Sequence, residues 1–365
     1  MRFTIDTQEL NSGINTVIKA IGNRTTISIL EGIYLEATFN GLLLRCTDLS
    51  LQIETILPAH VSQEGACVMP GRLFSELARR LPGEETEIYT EENTVYISSG
   101  RARTNMQSEN PGEFHCMPPV KEEYAVSISQ GTFKSMIRQC IFASAQDESK
   151  PILTGVLLEM RLESLRMVAL DGYRLAIIEK PVKAAKDINI IIPAKTLAEA
   201  IKLFTDDDEV VHIAANRRFV VFSSRTYTVI SRLIEGDFLD YKRVIPEGYH
   251  TRVTVDVRDF SNSIERASLI ITERLKNPLR ITFDGNITVR CQTTLGKVVD
   301  ELDAEIEGEP VEIGFNNRYL LDALRYSRCD KLVFEVSGPL SPVKVLPKDG
   351  GDFLFLVLPV RFKND

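Results

Sequence analysis

The pattern of apolar positions repeats three times along the chain. From Phe3, apolar residues follow at offsets of 2, 7 and 11, giving Phe3, Ile5, Leu10 and Ile14. The same offsets pick out Val126, Ile128, Phe133 and Ile137, and then Val253, Val255, Phe260 and Ile264. Two apolar residues two apart share one face of a strand, and two that are four apart share one face of a helix, so each repeat opens with a strand and then a helix. Landmarks further on keep the same step. Asp48 and Asp171 each lie 45 residues into their repeat and close apolar strands at 42–46 and 165–169. Pro70 and Pro193 both fall at offset 67, where a strand ends and a second helix begins. In the third repeat Cys291-Gln292-Thr293 and Ile313-Gly314-Phe315 arrive about five residues early, which one short deletion explains.

Each repeat is double inside. A helix at 7–20 and strands at 2–6, 32–38, 41–46 and 50–57 are echoed by strand, helix and strands over 66–108. The predicted fold is α+β: three similar domains, 1–121, 122–248 and 249–365, each with two helices packed on antiparallel sheets. At 44% hydrophobic residues the 365-residue chain can bury a large core. Its longest apolar run, 353–360, is far too short to span a bilayer, and its opening has no apolar stretch like a signal peptide, so the expectation is a cytoplasmic protein with no membrane partner.

Charge changes the picture. The chain is acidic, at −8, yet the six predicted helices (7–20, 71–80, 130–142, 194–204, 258–270 and 317–328) carry thirteen basic residues against six acidic ones. Helix propensity does not explain this, since Glu forms helices as well as Lys and Arg do. A cationic layer on an acidic protein points to a polyanion gripped through phosphates, without base reading. The layer includes Arg72 and Lys195, along with Arg79, Lys134, Lys202, Arg266, Arg318 and Arg325, for which a solvated helix face is the competing reading.

Candidate chemistry is sparse. Six scattered cysteines lack metal-ligand spacing, and four histidines lie outside any nucleophile signature. Gly296-Lys297 is followed by Val298, so no phosphate loop forms there. No cofactor, metal or catalytic residue is expected. A carboxylate pair such as Asp171 with Asp240 keeps a hydrolase reading open, because such sites leave no local motif. A monomeric peptide-binding scaffold is the other alternative.

Several stretches, taken together and in order, resemble the bacterial β sliding clamp family, the processivity subunit of the replicative DNA polymerase (DNA polymerase III). They are Met1-Arg2-Phe3-Thr4-Ile5, residues 24–30, Cys46-Thr47-Asp48-Leu49, Pro151-Ile152-Leu153-Thr154-Gly155-Val156, Leu170-Asp171-Gly172-Tyr173-Arg174-Leu175-Ala176, residues 238–246, Ile313-Gly314-Phe315-Asn316 and Leu358-Pro359-Val360-Arg361. The resemblance implies a non-enzymatic homodimer, closed head to tail into a ring whose helices line a hole for duplex DNA. It also implies a pocket for short peptides of the polymerase catalytic subunit, the clamp loader and other clamp-binding-motif proteins.

Carried over by position, that pocket uses Leu153, Leu170, Gly172, Tyr173, Arg174, Leu175, Leu239, Arg243 and Val244, with Tyr319, Leu340, Val343, Leu358, Pro359, Val360 and Arg361; for Leu153, Leu340 and Val343 ordinary core packing is the competing reading. Arg24, Arg72 and Lys195 match DNA-facing positions. The dimer interface is expected to join Met106 with Leu269 and Ile270, and Arg101 and Arg103 with Asp300 or Glu301. The chain departs from the family at Ser28 and Leu239, where proline is common, at Tyr173, where some members have histidine, and in Lys297-Val298-Val299, which interrupts an acidic run. Residues 362–365 extend past the usual end.

Overall fold

In a computed structural model, residues 1–22, 26–272 and 278–362 are described. The first repeat runs β1 (Arg2–Asp6), α1 (Thr7–Val17), β2 (Gly32–Thr38), β3 (Gly41–Thr47), β4 (Leu51–Leu57), β5 (His60–Gln63), β6 (Gly65–Pro70), α2 (Gly71–Ala78), β7 (Glu85–Glu91), β8 (Thr94–Ser99) and β9 (Ala102–Gln107). The second runs β10 (Tyr124–Ser129), α3 (Gln130–Cys140), β11 (Gly155–Met160), β12 (Ser164–Leu170), β13 (Arg174–Pro181), β14 (Ile188–Pro193), α4 (Ala194–Ala200), β15 (Val210–Ala215), β16 (Phe219–Ser223) and β17 (Thr228–Arg232). The third runs β18 (Thr251–Asp256), α5 (Val257–Ser268), β19 (Leu279–Asp284), β20 (Asn286–Thr293), β21 (Gly296–Leu302), β22 (Glu305–Gly308), β23 (Val311–Phe315), α6 (Asn317–Ser327), β24 (Lys331–Val336), β25 (Val343–Pro347) and β26 (Phe353–Val357).

All twelve positions of the apolar repeat are buried, and Leu10, Ile14, Phe133, Ile137, Phe260 and Ile264 are fully so. The repeat extends to the helix starts. Asp6 accepts the backbone N–H groups of Gln8 and Glu9 at 2.8 and 2.9 Å, and Ser129 Oγ accepts that of Thr132 at 3.3 Å. Asp256 accepts those of Arg258 and Asp259. One position therefore supplies an oxygen to otherwise unpaired helix donors in every repeat. Asp48 and Asp171 do the same for turns: Asp48 accepts from the N–H of Ser50 and Leu51, and Asp171 from the N–H of Tyr173 and Arg174. The residue after each aspartate takes a left-handed conformation, at φ 68° for Leu49 and 93° for Gly172.

α4 stops short of the predicted 194–204. After the Ile201 N–H bonds to the Leu197 carbonyl, Lys202 and Leu203 bond only three residues back, so the last turn tightens.

The chain divides into two compact units, residues 1–133, 184–186 and 195–233, and residues 134–183, 187–194 and 234–365. The division cuts the second repeat because its sheets continue into its neighbours. In the first unit an eight-stranded sheet has the order β10-β15-β16-β17-β4-β3-β2-β6, joining repeats one and two where β17 pairs with β4. A five-stranded sheet, β5-β1-β7-β8-β9, completes that unit. In the second unit a nine-stranded sheet, β14-β11-β12-β13-β26-β25-β24-β18-β22, joins repeats two and three where β13 pairs with β26. A four-stranded sheet, β21-β20-β19-β23, accompanies it.

Candidate peptide site and cationic helix layer

In the second unit, the turn after β12, the segment after residue 238, α6 and the chain after β26 meet. Leu153, Leu170 and Leu175 are buried in one cluster with Leu157, Val168, Ile191, Tyr241 and Leu356, and Phe238 and Ile245 pack against it. These leucines form a floor. Tyr173, Leu239, Val244, Leu340 and Val360 are exposed apolar side chains. The Leu358 N–H donates to the Tyr173 carbonyl at 2.9 Å and the Val360 N–H to the Gly314 carbonyl at 2.8 Å, drawing the C-terminal segment alongside both. Tyr173 stacks on Tyr319 with ring centroids 5.8 Å apart. Pro359 lies between the two anchored residues, and Arg361 is exposed beyond them. Gly172 is exposed, with open space where a side chain would be. Val343 takes the core reading of its two alternatives. It is fully buried at the start of β25, opposite Val357.

The arginines also differ from expectation. Arg174 is only 12% exposed, and its guanidinium is already engaged. Its Nε donates to Asp171 at 2.9 Å, a second nitrogen to Asp322, and the group lies 4.8 Å from the Tyr319 ring centroid and 5.5 Å from that of Phe142. Arg174 therefore braces the site more than it reaches out. Arg243 is the opposite case: its Nε sits 2.7 Å from Asp240, but the side chain is 84% exposed, so the pair is solvated and open to exchange. Burial, with the charge of Asp171, raises the Tyr319 phenol above its ordinary value and keeps it a neutral hydrogen donor.

Sequence reasoning missed Tyr241 as a support. Its hydroxyl donates to Glu159 at 2.9 Å and lies 3.2 Å from an Arg166 nitrogen, fixing the segment that carries Arg243 and Val244. Its sequence signal was its place inside the 238–246 stretch that carries the family resemblance.

The cationic helices behave differently. Arg72, on α2, is exposed, and Lys195, on α4, is 73% exposed with its ammonium 3.6 Å from Asp48. Arg24 lies outside the described residues. Arg79 pairs with Glu76 and Asn15, Lys202 with Glu199 and Arg266 with Asp300. Surface pairs of this kind are worth little, so these side chains stay available to a stronger anion. The helices pack in pairs: α1 on α2, and α5 on α6, where Asn317 donates to Ser268 at 3.0 Å. Gln139 of α3 also reaches the Ser327 carbonyl of α6 at 3.2 Å.

Of the expected interface residues, Arg101, Arg103 and Met106 lie at the β9 sheet edge, Asp300 and Glu301 on the β21 edge, and Leu269 and Ile270 just after α5. Arg101 and Arg103 are exposed at and beside β9, and Glu301 is exposed on β21. Asp300 points the other way, to Arg266 within its own chain. Leu269 is 82% exposed and Ile270 half-buried, whereas Met106 is largely covered in its own sheet, opposite Val95.

The comparisons with known proteins agree along the whole chain. Residues 1–118, 127–240 and 242–361 match the N-terminal, central and C-terminal domains of the DNA polymerase III beta subunit. The chain is 32% identical to a beta sliding clamp of Staphylococcus aureus over 99% of both sequences. It also superimposes on the DNA polymerase sliding clamp of Bacillus subtilis with a TM-score of 0.97 at 31% identity over 100% of each chain. For the DNA polymerase III beta subunit of Thermotoga maritima the TM-score is 0.92 at 27% identity, over 99% of this chain and 100% of that one.

The chain belongs to the DNA polymerase III beta subunit family.

It is a DNA sliding clamp of replication, built of three clamp domains and non-catalytic. The hydrolase alternative finds no support in the clamp's geometry. Asp171 is held by Arg174 and by two backbone N–H groups, and Asp240 by Arg243, so each carboxylate serves its own turn. Among the described residues no His, Cys, Asp or Glu group could hold a metal, and no helix is long and apolar enough to cross a membrane.

Proposed function

We propose that two copies of this clamp close head to tail into a ring that duplex DNA threads, and that the ring tethers a DNA polymerase through the peptide site. The sheet edges carry this reading. Equivalent strands of the repeats pair across the domain joins: β4 of the first with β17 of the second, then β13 of the second with β26 of the third. The next pairing in that series would join β21 of the third repeat to β9 of a first, and each of those strands ends its sheet. Such a heterologous contact closes when its rotation completes a full turn, here after six domains.

Register sharpens the proposal. The equivalent hairpins pair Leu42 with Leu57, Leu165 with Lys180 and Ile287 with Leu302, so Glu54, Ile177 and Val299 are equivalent positions. Glu54 faces Thr228 and Ile177 faces Leu354, and Arg103 stands in β9 where those two stand in β17 and β26. Carried over, Arg103 faces Val299 of the partner subunit and Arg101 faces Glu301 of the partner subunit, with Arg103 diagonal to the same carboxylate. This selects Glu301 over Asp300, which Arg266 already holds.

Arg72 and Lys195 are assigned to the DNA-facing layer, where sequence-independent phosphate contacts hold the duplex loosely and permit sliding. At the peptide site the apolar floor receives Leu and Phe anchors, and the exposed arginines and backbone groups fix the polar end. The clamp loader and other partners with the same peptide motif are assigned to that site.

Solution mass tests the ring. The wild type should be a dimer at micromolar concentration in moderate salt, Glu301→Arg should be a monomer, and combining it with Arg101→Glu and Arg103→Glu should restore the dimer. A monomeric wild type would contradict the proposal.

A further inference from the structure

The last wall of the peptide site has no regular structure of its own, because β26 ends at Val357 and only five described residues follow. Two backbone hydrogen bonds hold Leu358 and Val360, and an irregular segment needs side-chain contacts as well to keep one conformation. Beyond them Phe362 turns back onto the β19–β23 sheet, with the Arg280 guanidinium 4.1 Å from its ring centroid. Arg280 and Gly314 are cross-strand partners in that sheet, so the missing side chain at Gly314 opens the space beside the Arg280 stem. The C-terminal segment fills that space. A Cβ on Gly314 would lie 2.3 Å from the Val360 carbonyl oxygen and 2.9 Å from the Phe362 ring. Glu312, also on β23, approaches Arg280 at 3.5 Å and keeps the guanidinium over the ring.

We propose that Phe362, latched between Arg280 and Gly314, is a positioning residue that fixes Leu358, Pro359, Val360 and Arg361 as the wall of the peptide site. The inference rests on the peptide-site reading above. The ring touches no peptide; it acts by removing the freedom of the segment that does, and pre-ordering a binding wall raises affinity without a new contact.

The test uses anisotropy of a labelled peptide carrying Gln followed by Leu and Phe anchors, with the full-length dimer. Phe362→Ala should weaken binding about fivefold, the scale of one cation–aromatic contact and its partial burial. Phe362→Tyr, which keeps the ring, should bind within about twofold of wild type on the same scale. Gly314→Ala should weaken binding at least as much as Phe362→Ala, by displacing Val360. Removing 363–365 should leave binding intact, whereas removing 362–365 should reproduce the Phe362→Ala loss, with dimer mass and melting temperature unchanged in both truncations. If Phe362→Ala and the 362–365 truncation bind as wild type while truncation from Leu358 abolishes binding, the latch is wrong and the site stands. If truncation from Leu358 also binds as wild type, the site itself is wrong.

Discussion

On the proposed reading, the peptide site and the cationic helix layer meet two different recognition problems. At the peptide site the parts are fixed: three leucines are buried in a shared cluster, Arg174 is pinned between two carboxylates and two rings, and the C-terminal segment is tied by backbone hydrogen bonds. In the helix layer Lys195 is mostly exposed and holds only a loose pair with Asp48, and its neighbours hold only surface pairs. A site that must choose a sequence needs a fixed shape, whereas a surface that must let DNA pass needs charge without fit. The two should therefore fail differently when altered.

Truncation from Leu358 should have the largest effect. It removes a whole wall, and loss of a hot-spot cluster should lower peptide affinity by about two orders of magnitude. Processivity should fall with it, while dimer mass and retention on circular DNA persist. Arg174→Ala comes next. It removes the guanidinium partner of Asp171 and Asp322, and loss of charge-assisted hydrogen bonds in a mostly covered setting should cost about 2 kcal/mol in a denaturant titration. Peptide binding should weaken as well; unchanged stability would show that the brace is not structural.

The helix layer should respond to salt. Arg72→Ala with Lys195→Ala should leave folding and peptide binding unchanged, and should flatten the logarithmic salt dependence of DNA association by up to about one unit per lost phosphate contact. An unchanged slope would remove both from the DNA-facing surface.

The smallest effect concerns pH. Burial alone would raise the Asp300 carboxyl, but the hydrogen bond and charge of Arg266 outweigh it and hold the group below its ordinary value. A lowered folded value makes this contribution fully present above the unfolded aspartate value of about 4 and lost as pH falls through the folded one. Asp300→Asn should therefore lower the melting temperature slightly near neutrality, where the contribution is fully present, and the difference from wild type should vanish as pH falls through the folded value.

Much of the fold was legible in the sequence because it is local. Phe3, Val126 and Val253 lie in the opening strands whose apolar spacing survives in three copies, and Asp48 and Asp171 mark turns that their own side chains close. The pairings of β4 with β17 and β13 with β26 left no such mark, since strands far apart in sequence meet without any local pattern. The peptide site was readable only through resemblance: its leucines look like any core leucine. That Arg174 is a brace and Arg243 an open arm depends on which carboxylates fold next to each, and spacing alone is the same i, i+3 relation to Asp171 and Asp240.

Topology, rather than affinity, is the central claim, and loading the clamp on nicked circular DNA tests it most directly. The account predicts that the dimer stays on the closed circle through a high-salt wash and leaves when a restriction cut linearises it. Equal retention on both forms, or equal loss from both, would contradict a ring threaded by DNA.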